Sequence, residues 1–200
     1  MLYTAKLIPY NGSWLQFKMN VRNALFILID RRRKLPVTIM LRAVGLSSDE
    51  QLREHFYKTE NIKVKDSQGR FLASDIFDKE TGEIIADAGI EIQEDLVEDL
   101  IQSGVETINV VKKESEITLS ILENTLDKDQ TTSQEEALKR IYTLIRPGEE
   151  PSLEDAKELF ERMFFNEKRY NLGKVGRYKI NKRLGLDVDS SIQILTKEDI

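Results

Sequence analysis

Residues 2–36 decide the fold, and their sequence is LYTAKLIPYNGSWLQFKMNVRNALFILIDRRRKLP. Loose alternation of polarity, or a short β-rich apolar run, predicts three strands at 2–8, 14–19 and 25–29. Turn-forming Pro, Asn and Gly residues separate these stretches. Strands joined by such short turns pair with their neighbours in antiparallel fashion. The stretch therefore predicts a small antiparallel sheet.

Helical spacing is typical of much of the remaining sequence. Pro36 stands where a first helical residue would, and Gly45 stands just past the end of an apolar stripe with a helical period. Three serines are placed to cap later helices: Ser48, Ser133 and Ser152. Further helices are predicted over 48–57, 133–145, 153–163 and 171–183. The sheet and these helices together predict an α+β fold.

Residues 59–116 differ from their surroundings in composition. They contain their own predicted strands at 61–65, 70–77 and 105–111, and a helix that starts near Gln93 and stops at Gly104. A charged turn, 79–83, lies between them. The sequence thus predicts a small, compact α/β insert at 59–116 within a domain made of residues 1–58 and 117–200.

Composition excludes several classes of protein. The chain has 200 residues and no cysteine, which excludes disulfide frameworks, thiolate zinc sites and cysteine nucleophiles, and fits a reducing cytoplasm. No apolar run approaches the roughly 18 residues of a membrane span. His55 is the only histidine, and neither a phosphate-binding loop nor a dinucleotide motif is present. A stand-alone enzyme therefore has no supporting motif.

The net charge of -5 is distributed unevenly. Residues 1–45 carry a net +7 and residues 166–183 a net +6, whereas residues 46–165 carry a net -15. If the two basic segments meet in the fold, they form a surface suited to a polyanion. The alternative is that the charges are scattered over solvated faces.

One tryptophan and a run of arginines favour a nucleic-acid surface. Trp14 lies opposite the apolar side chains of its predicted strand, so it is either packed under another element or a stacking platform for a base. Periodicity alone favours packing. Asp30 precedes four cations at residues 31–34. Cations at the N-terminus of the following helix oppose its dipole, so another interaction must favour them, and phosphate is a candidate.

Two later positions add weaker signals of the same kind. Arg146 lies in a rigid Arg-Pro-Gly turn that would present its side chain. Arg169 and Tyr170 lie in a charged loop before the last predicted helix. Each of these signals alone is consistent with an ordinary solvated surface.

Four blocks of the sequence, in the same order, closely resemble the β subunit of bacterial DNA-directed RNA polymerase. They are IPYNGSWL at 8–15, IDRRRKLP at 29–36, LIRPGE at 144–149 and KRYNLGKVGR at 168–177. Because they extend over nearly the whole chain, the resemblance is to the lobe, or β2, domain of that subunit. The chain is much shorter than the subunit, so we expect it to be a piece of it.

The resemblance implies both the domain organisation and the site. Some bacterial lineages carry an insert in the lobe where 59–116 falls here, and others lack it. The lobe forms one wall of the DNA cleft, near the start of the downstream duplex. The tryptophan matching Trp14 stacks on a non-template base, and the residues matching Asp30, Arg31, Arg146 and Arg169 lie near that strand. These five residues are the predicted DNA-binding site.

The resemblance also implies an enzyme of which this chain is a non-catalytic part. The whole machine is a nucleotidyltransferase of the bacterial cytoplasm, associated with the nucleoid and not with a membrane. Its catalytic Mg²⁺ is bound by the β′ subunit, so no cofactor is expected in this chain and no RNA synthesis by it alone. The implied partners are DNA, the rest of β, and the β′, α, ω and σ subunits. The alternative function is a docking module for transcription factors, chiefly through the insert.

Overall fold

The computed structural model describes residues 3–78, 81–196 and 199, which form two compact units. The first unit comprises Met1–Ser48 and Asn124–Ile200, and the second comprises Asp49–Glu123. The second unit begins earlier and ends later than the segment 59–116 expected from composition. The reason is that Arg53 and Tyr57 both bond to Glu123, which ties the flanking helices to this unit. That other lineages lack 59–116 stays a prediction.

The described residues form eight strands and seven α-helices, which confirms an α+β fold. The strands are β1 Thr4–Leu7, β2 Leu15–Met19, β3 Leu25–Ile29, β4 Leu35–Pro36, β5 Thr59–Lys63, β6 Ile76–Phe77, β7 Ile84–Ala86 and β8 Thr107–Val111. The helices are α1 Val37–Val44, α2 Asp49–Phe56, α3 Glu94–Gln102, α4 Glu116–Leu126, α5 Gln134–Ile145, α6 Leu153–Phe164 and α7 Gly173–Leu184. None of the helices in this described part is long and apolar enough to cross a membrane.

The sheet of the first unit has the strand order β1-β2-β3-β4, and every neighbouring pair is antiparallel. Three of its strands were predicted, and β4 is an addition. The strand β2 begins at Leu15, not at Trp14 as predicted, because the backbone N–H of Trp14 donates to the side chain of Asp30. The predicted first strand started at Leu2, which lies outside the described residues, and β1 ends at Leu7.

The core of the first unit lies between this sheet and the helices α1, α5 and α6. Its largest buried apolar side chains include Leu15, Ile27, Ile29, Met40, Ile141, Phe160, Phe164 and Tyr170. Two of the predicted caps are confirmed: the hydroxyl of Ser133 accepts from the N–H of Glu136, and that of Ser152 accepts from the N–H of Asp155. These caps fix the start of α5 and α6, and so the position of the loops at their far ends.

Two arginines of the basic segments are buried in ion pairs. Arg177 on α7 is fully buried and donates to both carboxylate oxygens of Asp199, at 2.6 and 2.9 Å. Arg42 on α1 is 1 % exposed, and its Nε lies 3.2 Å from Oδ2 of Asp129. These two cations stabilise the fold, and neither contributes to a surface for a polyanion. The basic segments are therefore less exposed than their sequence charge indicates.

The second unit has its own core. Strands β5 and β8 pair antiparallel, as do β6 and β7. Seven buried side chains form the centre: Val64, Leu72, Ala86, Ile92, Leu100, Ile108 and Val110. The predicted strand at 70–77 is reduced to β6, because residues 71 and 72 make only isolated bridges. Part of the predicted turn 79–83 falls on residues 79 and 80, outside the described residues.

Candidate nucleic-acid interface

A strained turn directly after β3 contains two of the predicted site residues, Asp30 and Arg31. Asp30 and Arg31 both have positive φ, at 47° and 59°, and the N–H of Arg32 closes the turn on the carbonyl of Ile29 at 2.9 Å. Two consecutive positive φ values match the hairpin turn whose twist suits antiparallel strands. For residues other than glycine each such conformation costs about 1–2 kcal/mol. Other contacts must therefore stabilise this turn.

Asp30 provides that stabilisation by binding the backbone of Trp14. Its carboxylate accepts from the N–H of Trp14 at 2.7 Å, and its own N–H donates to the carbonyl of Trp14 at 2.9 Å. The two bonds lock the residue before β2 against the turn after β3. The Asp30 side chain is thus used within the protein, and its geometry is that of a positioning residue.

The turn places Arg31 directly over the indole of Trp14. The guanidinium carbon lies 4.7 Å from the ring centroid, within the range of a cation–π contact. Trp14 is half-buried, and residues 31–34 are all exposed. The tryptophan is therefore neither a core residue nor a free one. The Arg31 guanidinium lies against the Trp14 indole, and part of the indole surface remains accessible.

Arg169 is brought to the same region by a close approach of two loops. The backbones of Asn11 and Asn171 exchange hydrogen bonds of 3.0 and 2.7 Å. The next residue, Gly12, has a φ of +123°, and a Cβ there would lie 2.6 Å from Cδ2 of Tyr170 and 3.2 Å from the carbonyl oxygen of Arg169. Only glycine permits this contact. The backbone of Arg169, an exposed residue, thus lies beside the loop that leads into Trp14.

Tyr170 has a different place from the one that the sequence indicated. It is fully buried in the core of the first unit, so it is unavailable for stacking on a base. Its hydroxyl has no hydrogen-bond partner within the described residues. Burial raises the pKa of this hydroxyl, with a smaller contribution from the negative charge of Asp199. The tyrosine therefore stays neutral and anchors the loop that presents Arg169.

Arg146 ends α5 and is exposed, as predicted for a presented side chain. Its guanidinium lies over the ring of Tyr142, 5.6 Å from the centroid, and 3.6 Å from a carboxylate oxygen of Glu149. The hydroxyl of Tyr142 donates to the same carboxylate at 2.7 Å, and this bond raises the pKa of Tyr142. These contacts orient the Arg146 guanidinium, which remains 44% exposed.

The five predicted site residues are linked in different ways. Trp14, Asp30 and Arg31 are in contact, and Arg169 adjoins the Gly12 loop. Arg146 is linked to the turn through Arg32, whose Nη1 lies 3.4 Å from the carbonyl of Leu144. The first unit therefore links basic residues from three separate segments of the chain, and one of them, Arg31, lies against the ring of Trp14.

Comparison with known proteins identifies the family of the chain. The sequence model of the family described as RNA polymerase Rpb2, domain 2, matches residues 1–85 and 88–200. The chain belongs to this family. It is 40% identical to the DNA-directed RNA polymerase subunit beta of Flavobacterium psychrophilum, 40% identical to that of Phocaeicola vulgatus and 38% identical to that of Porphyromonas gingivalis. Each match covers 100% of this chain and 17% of the relative, so the chain spans about a sixth of their length.

Membership in the Rpb2 domain 2 family confirms the resemblance read from the four sequence blocks. Sequence reasoning nevertheless missed part of the basic surface. Arg140 on α5 was not singled out, and the structure places it with Arg32 and Arg33 around one cleft. Arg140 lies four residues before Leu144, so the sequence alone places both on the same face of a helix. The approach of the β3–β4 turn to that face is a tertiary contact, and no local pattern predicts it.

Proposed function

We propose that this chain is the DNA-contacting lobe of the β subunit of a bacterial RNA polymerase, and that it positions the non-template strand near the start of the downstream duplex. The proposal rests on family membership and on one observation above all. That observation is the pairing of a partly accessible Trp14 with the Arg31 guanidinium at 4.7 Å. Sites for unpaired strands combine such an aromatic platform with cations.

Trp14 provides the stacking surface for one unpaired base. Stacking of a base on an aromatic side chain is worth about 1–3 kcal/mol. The reciprocal bonds between Asp30 and Trp14 hold the Trp14 backbone in place, and Arg31 lies against its ring, so little ordering is needed on binding. Asp30 thus acts through Trp14, and its contribution to DNA binding is one of positioning.

Arg31, Arg146 and Arg169 supply positive charge along the backbone of the bound strand. All three side chains are exposed, and each is oriented by a neighbour or by a bonded loop. Phosphate contacts of this kind fix register and orientation without reading sequence. The strand is therefore held by charge along its backbone and by stacking at one base.

Chemistry belongs to the rest of the polymerase in this proposal. The described residues contain no group of three or more His, Asp or Glu side chains that could hold a metal ion, and the proposal places no catalytic Mg²⁺ among them. That ion is assigned to the β′ subunit. The proposed partners are β′, α, ω, a σ factor and the remainder of β, in the bacterial cytoplasm. Assayed alone, the chain should synthesise no RNA.

Replacing Trp14 tests the function. In the intact polymerase Trp14→Ala should shorten the lifetime of the open complex by roughly five- to a hundredfold, the loss of one stacked base, and should weaken base preference at the contacted position. Trp14→Phe is the matched control, because it keeps an aromatic face and should retain most of the effect. Unchanged lifetime and unchanged base preference in Trp14→Ala would contradict the proposal.

A second candidate function concerns the second unit. Phe77 and Ile84 lie opposite each other on β6 and β7, and each is 54% exposed. An exposed apolar cross-strand pair on an acidic unit favours protein docking, in keeping with the alternative of a transcription-factor module. Phe77→Ser with Ile84→Ser in the intact polymerase should then reduce capture of a transcription factor and leave the open-complex lifetime unchanged. Equal capture by this variant and the wild type would exclude this role.

A further inference from the structure

The first unit contains a basic cleft. One wall includes Arg32, which follows Arg31 in the chain, and another includes Pro147, which follows Arg146. The cleft has a volume of about 470 Å³, and its walls come from the β3–β4 turn and from the C-terminal half of α5. Its lining residues are Arg32, Arg33, Leu35, Arg140, Thr143, Leu144 and Pro147. Three of the seven are arginines and none is acidic. The cleft is therefore a concentration of positive charge with an apolar floor.

None of the three guanidinium groups has a counterion in the part of the chain that the structure describes. Arg33 and Arg140 are exposed and take part in no ion pair there. Arg32 makes only the long bond to the carbonyl of Leu144 at 3.4 Å. Like charges that share a cleft repel one another, and an anion between them removes that repulsion.

Acidic residues near the cleft are committed elsewhere. Glu136 lies one turn before Arg140 on α5, where a carboxylate would pair with it, but its side chain accepts instead from the N–H and hydroxyl of Thr132 at 2.7 and 3.2 Å. Glu135 pairs with Lys139 at 2.6 Å. Glu149, beyond the end of α5, is bound by Tyr142 and Arg146. The arginines of the cleft are thus left for a ligand from outside the unit.

The position of the cleft indicates which anion it takes. Arg32 directly follows Arg31, which covers Trp14, and Pro147 directly follows Arg146. The cleft therefore lies along the path between the two cations assigned to the DNA strand. Guanidinium groups match phosphate oxygens in two-pronged geometry. The apolar floor of Leu35, Leu144 and Pro147 suits the sugar beside such a phosphate.

We propose that this cleft binds a backbone phosphate of the same DNA strand whose base stacks on Trp14. Arg33 and Arg140 are its direct ligands, and Arg32 forms the wall between the phosphate and the stacking site. This inference rests on the proposed function and deepens it, because it turns a general basic surface into a defined phosphate subsite. The subsite would hold the strand at a fixed distance from the stacked base.

The test uses the intact polymerase with the double variant Arg33→Ala/Arg140→Ala. Loss of a phosphate contact should lower the slope of log affinity against log salt by about 0.7–0.9. That corresponds to about a threefold smaller loss of affinity between 50 and 200 mM salt. Arg22→Ala is the matched control, since Arg22 is an exposed arginine in the turn at the other end of β2 and β3. A double variant whose slope equals that of Arg22→Ala would overturn the subsite.

Neutral methylphosphonate linkages, placed one at a time along the non-template strand, locate the contact. In the wild type the linkages that face the cleft, Arg31, Arg146 and Arg169 should weaken binding when neutral, and in the double variant the linkage at the cleft alone should have no further effect. A uniform effect at all positions, unchanged in the double variant, would mean diffuse charge and would overturn the subsite.

Trp14→Ala in the same assay separates the subsite from the proposed stacking function. If Trp14→Ala changes base preference while the double variant changes nothing, the subsite fails and the proposed function stands. If only the double variant has an effect, stacking fails and the subsite stands.

Discussion

The two units of the molecule use charge in opposite ways. The second unit, Asp49–Glu123, holds eight Lys and Arg against nineteen Asp and Glu, a net of -11, while the first unit carries a net +6. In the second unit the arginines are partnered at partly exposed positions, Arg53 with Glu123 and Arg70 with Glu60. In the first unit two arginines are fully buried in ion pairs, and the arginines of the candidate interface and of the basic cleft are exposed.

The difference shows that net charge alone does not locate a binding surface. Arg42 and Arg177 contribute to the positive total of the first unit and yet are 1% and 0% exposed. What distinguishes the candidate interface is exposed arginine without an acidic partner next to a fixed aromatic ring. The second unit has the acidic balance expected of a surface that repels DNA. Under the proposed function, strand contact therefore belongs to the first unit.

Breaking one ion pair in each unit should give the largest difference between them. Arg177→Ala leaves the carboxylate of Asp199 buried without its partner, which costs about 3–5 kcal/mol of the unfolding free energy of the first unit. Arg53→Ala in the second unit removes a pair whose side chains are 15% and 26% exposed, and should cost about 1–2 kcal/mol. Denaturant unfolding measures the first, since Trp14 is the only tryptophan and reports on the first unit. Amide hydrogen exchange measures both.

Arg183→Ala is the control for the first of these changes, because Arg183 lies on the same helix, α7, but is exposed. It should shift stability by less than about 0.5 kcal/mol. Equal losses in Arg177→Ala and Arg183→Ala would show that the buried pair contributes no more than a surface charge.

Glycines in the two units should respond differently to the same substitution. Gly12→Ala places a Cβ 2.6 Å from Cδ2 of Tyr170 at a φ of +123°, so the loop must move, at a cost of about 1–3 kcal/mol plus backbone strain. Gly69→Ala in the second unit, at a φ of +74°, meets nothing within 4 Å and should cost only the backbone strain, about 1–2 kcal/mol. Thermal unfolding of the two variants gives the comparison. A smaller effect for Gly12→Ala than for Gly69→Ala would contradict the close approach of the two loops.

Sequence patterns predicted local structure in both units better than the contacts between distant segments. The strands β2 and β3, and the capping roles of Ser133 and Ser152, follow from periodicity and side-chain chemistry within a few residues. The burial of Tyr170 does not, because its loop looks charged and only its packing against distant core residues places it inside. The pairing of Arg177 with Asp199 is equally nonlocal.

The candidate site shows the same division. Trp14 and Arg31 were singled out by their residue types and by the resemblance of their blocks, but their contact depends on the strained turn at Asp30. The sequence indicated neither the positive φ of Asp30 nor its bond to the Trp14 backbone, since aspartate before a run of arginines is common in solvated loops. Arg140 could not be assigned to the cleft before the turn and α5 were seen together.

The smallest expected effect is on the stability of the second unit at acidic pH. The guanidinium of Arg70, with its Nη2 2.6 Å from a carboxylate oxygen of Glu60, lowers the pKa of that carboxyl. A lowered pKa in the folded state means that the stabilisation is fully present above the unfolded pKa, and is lost as pH falls through the folded one. Glu60→Gln keeps an acceptor for Arg70 but removes the charge. The variant should therefore be slightly less stable than the wild type at neutral pH, and the two should converge as the medium is acidified below the folded pKa. Hydrogen exchange of β5 and β8 at several pH values measures this, and a stability difference that is constant across that range would show that the charge of Glu60 has no part in the unit.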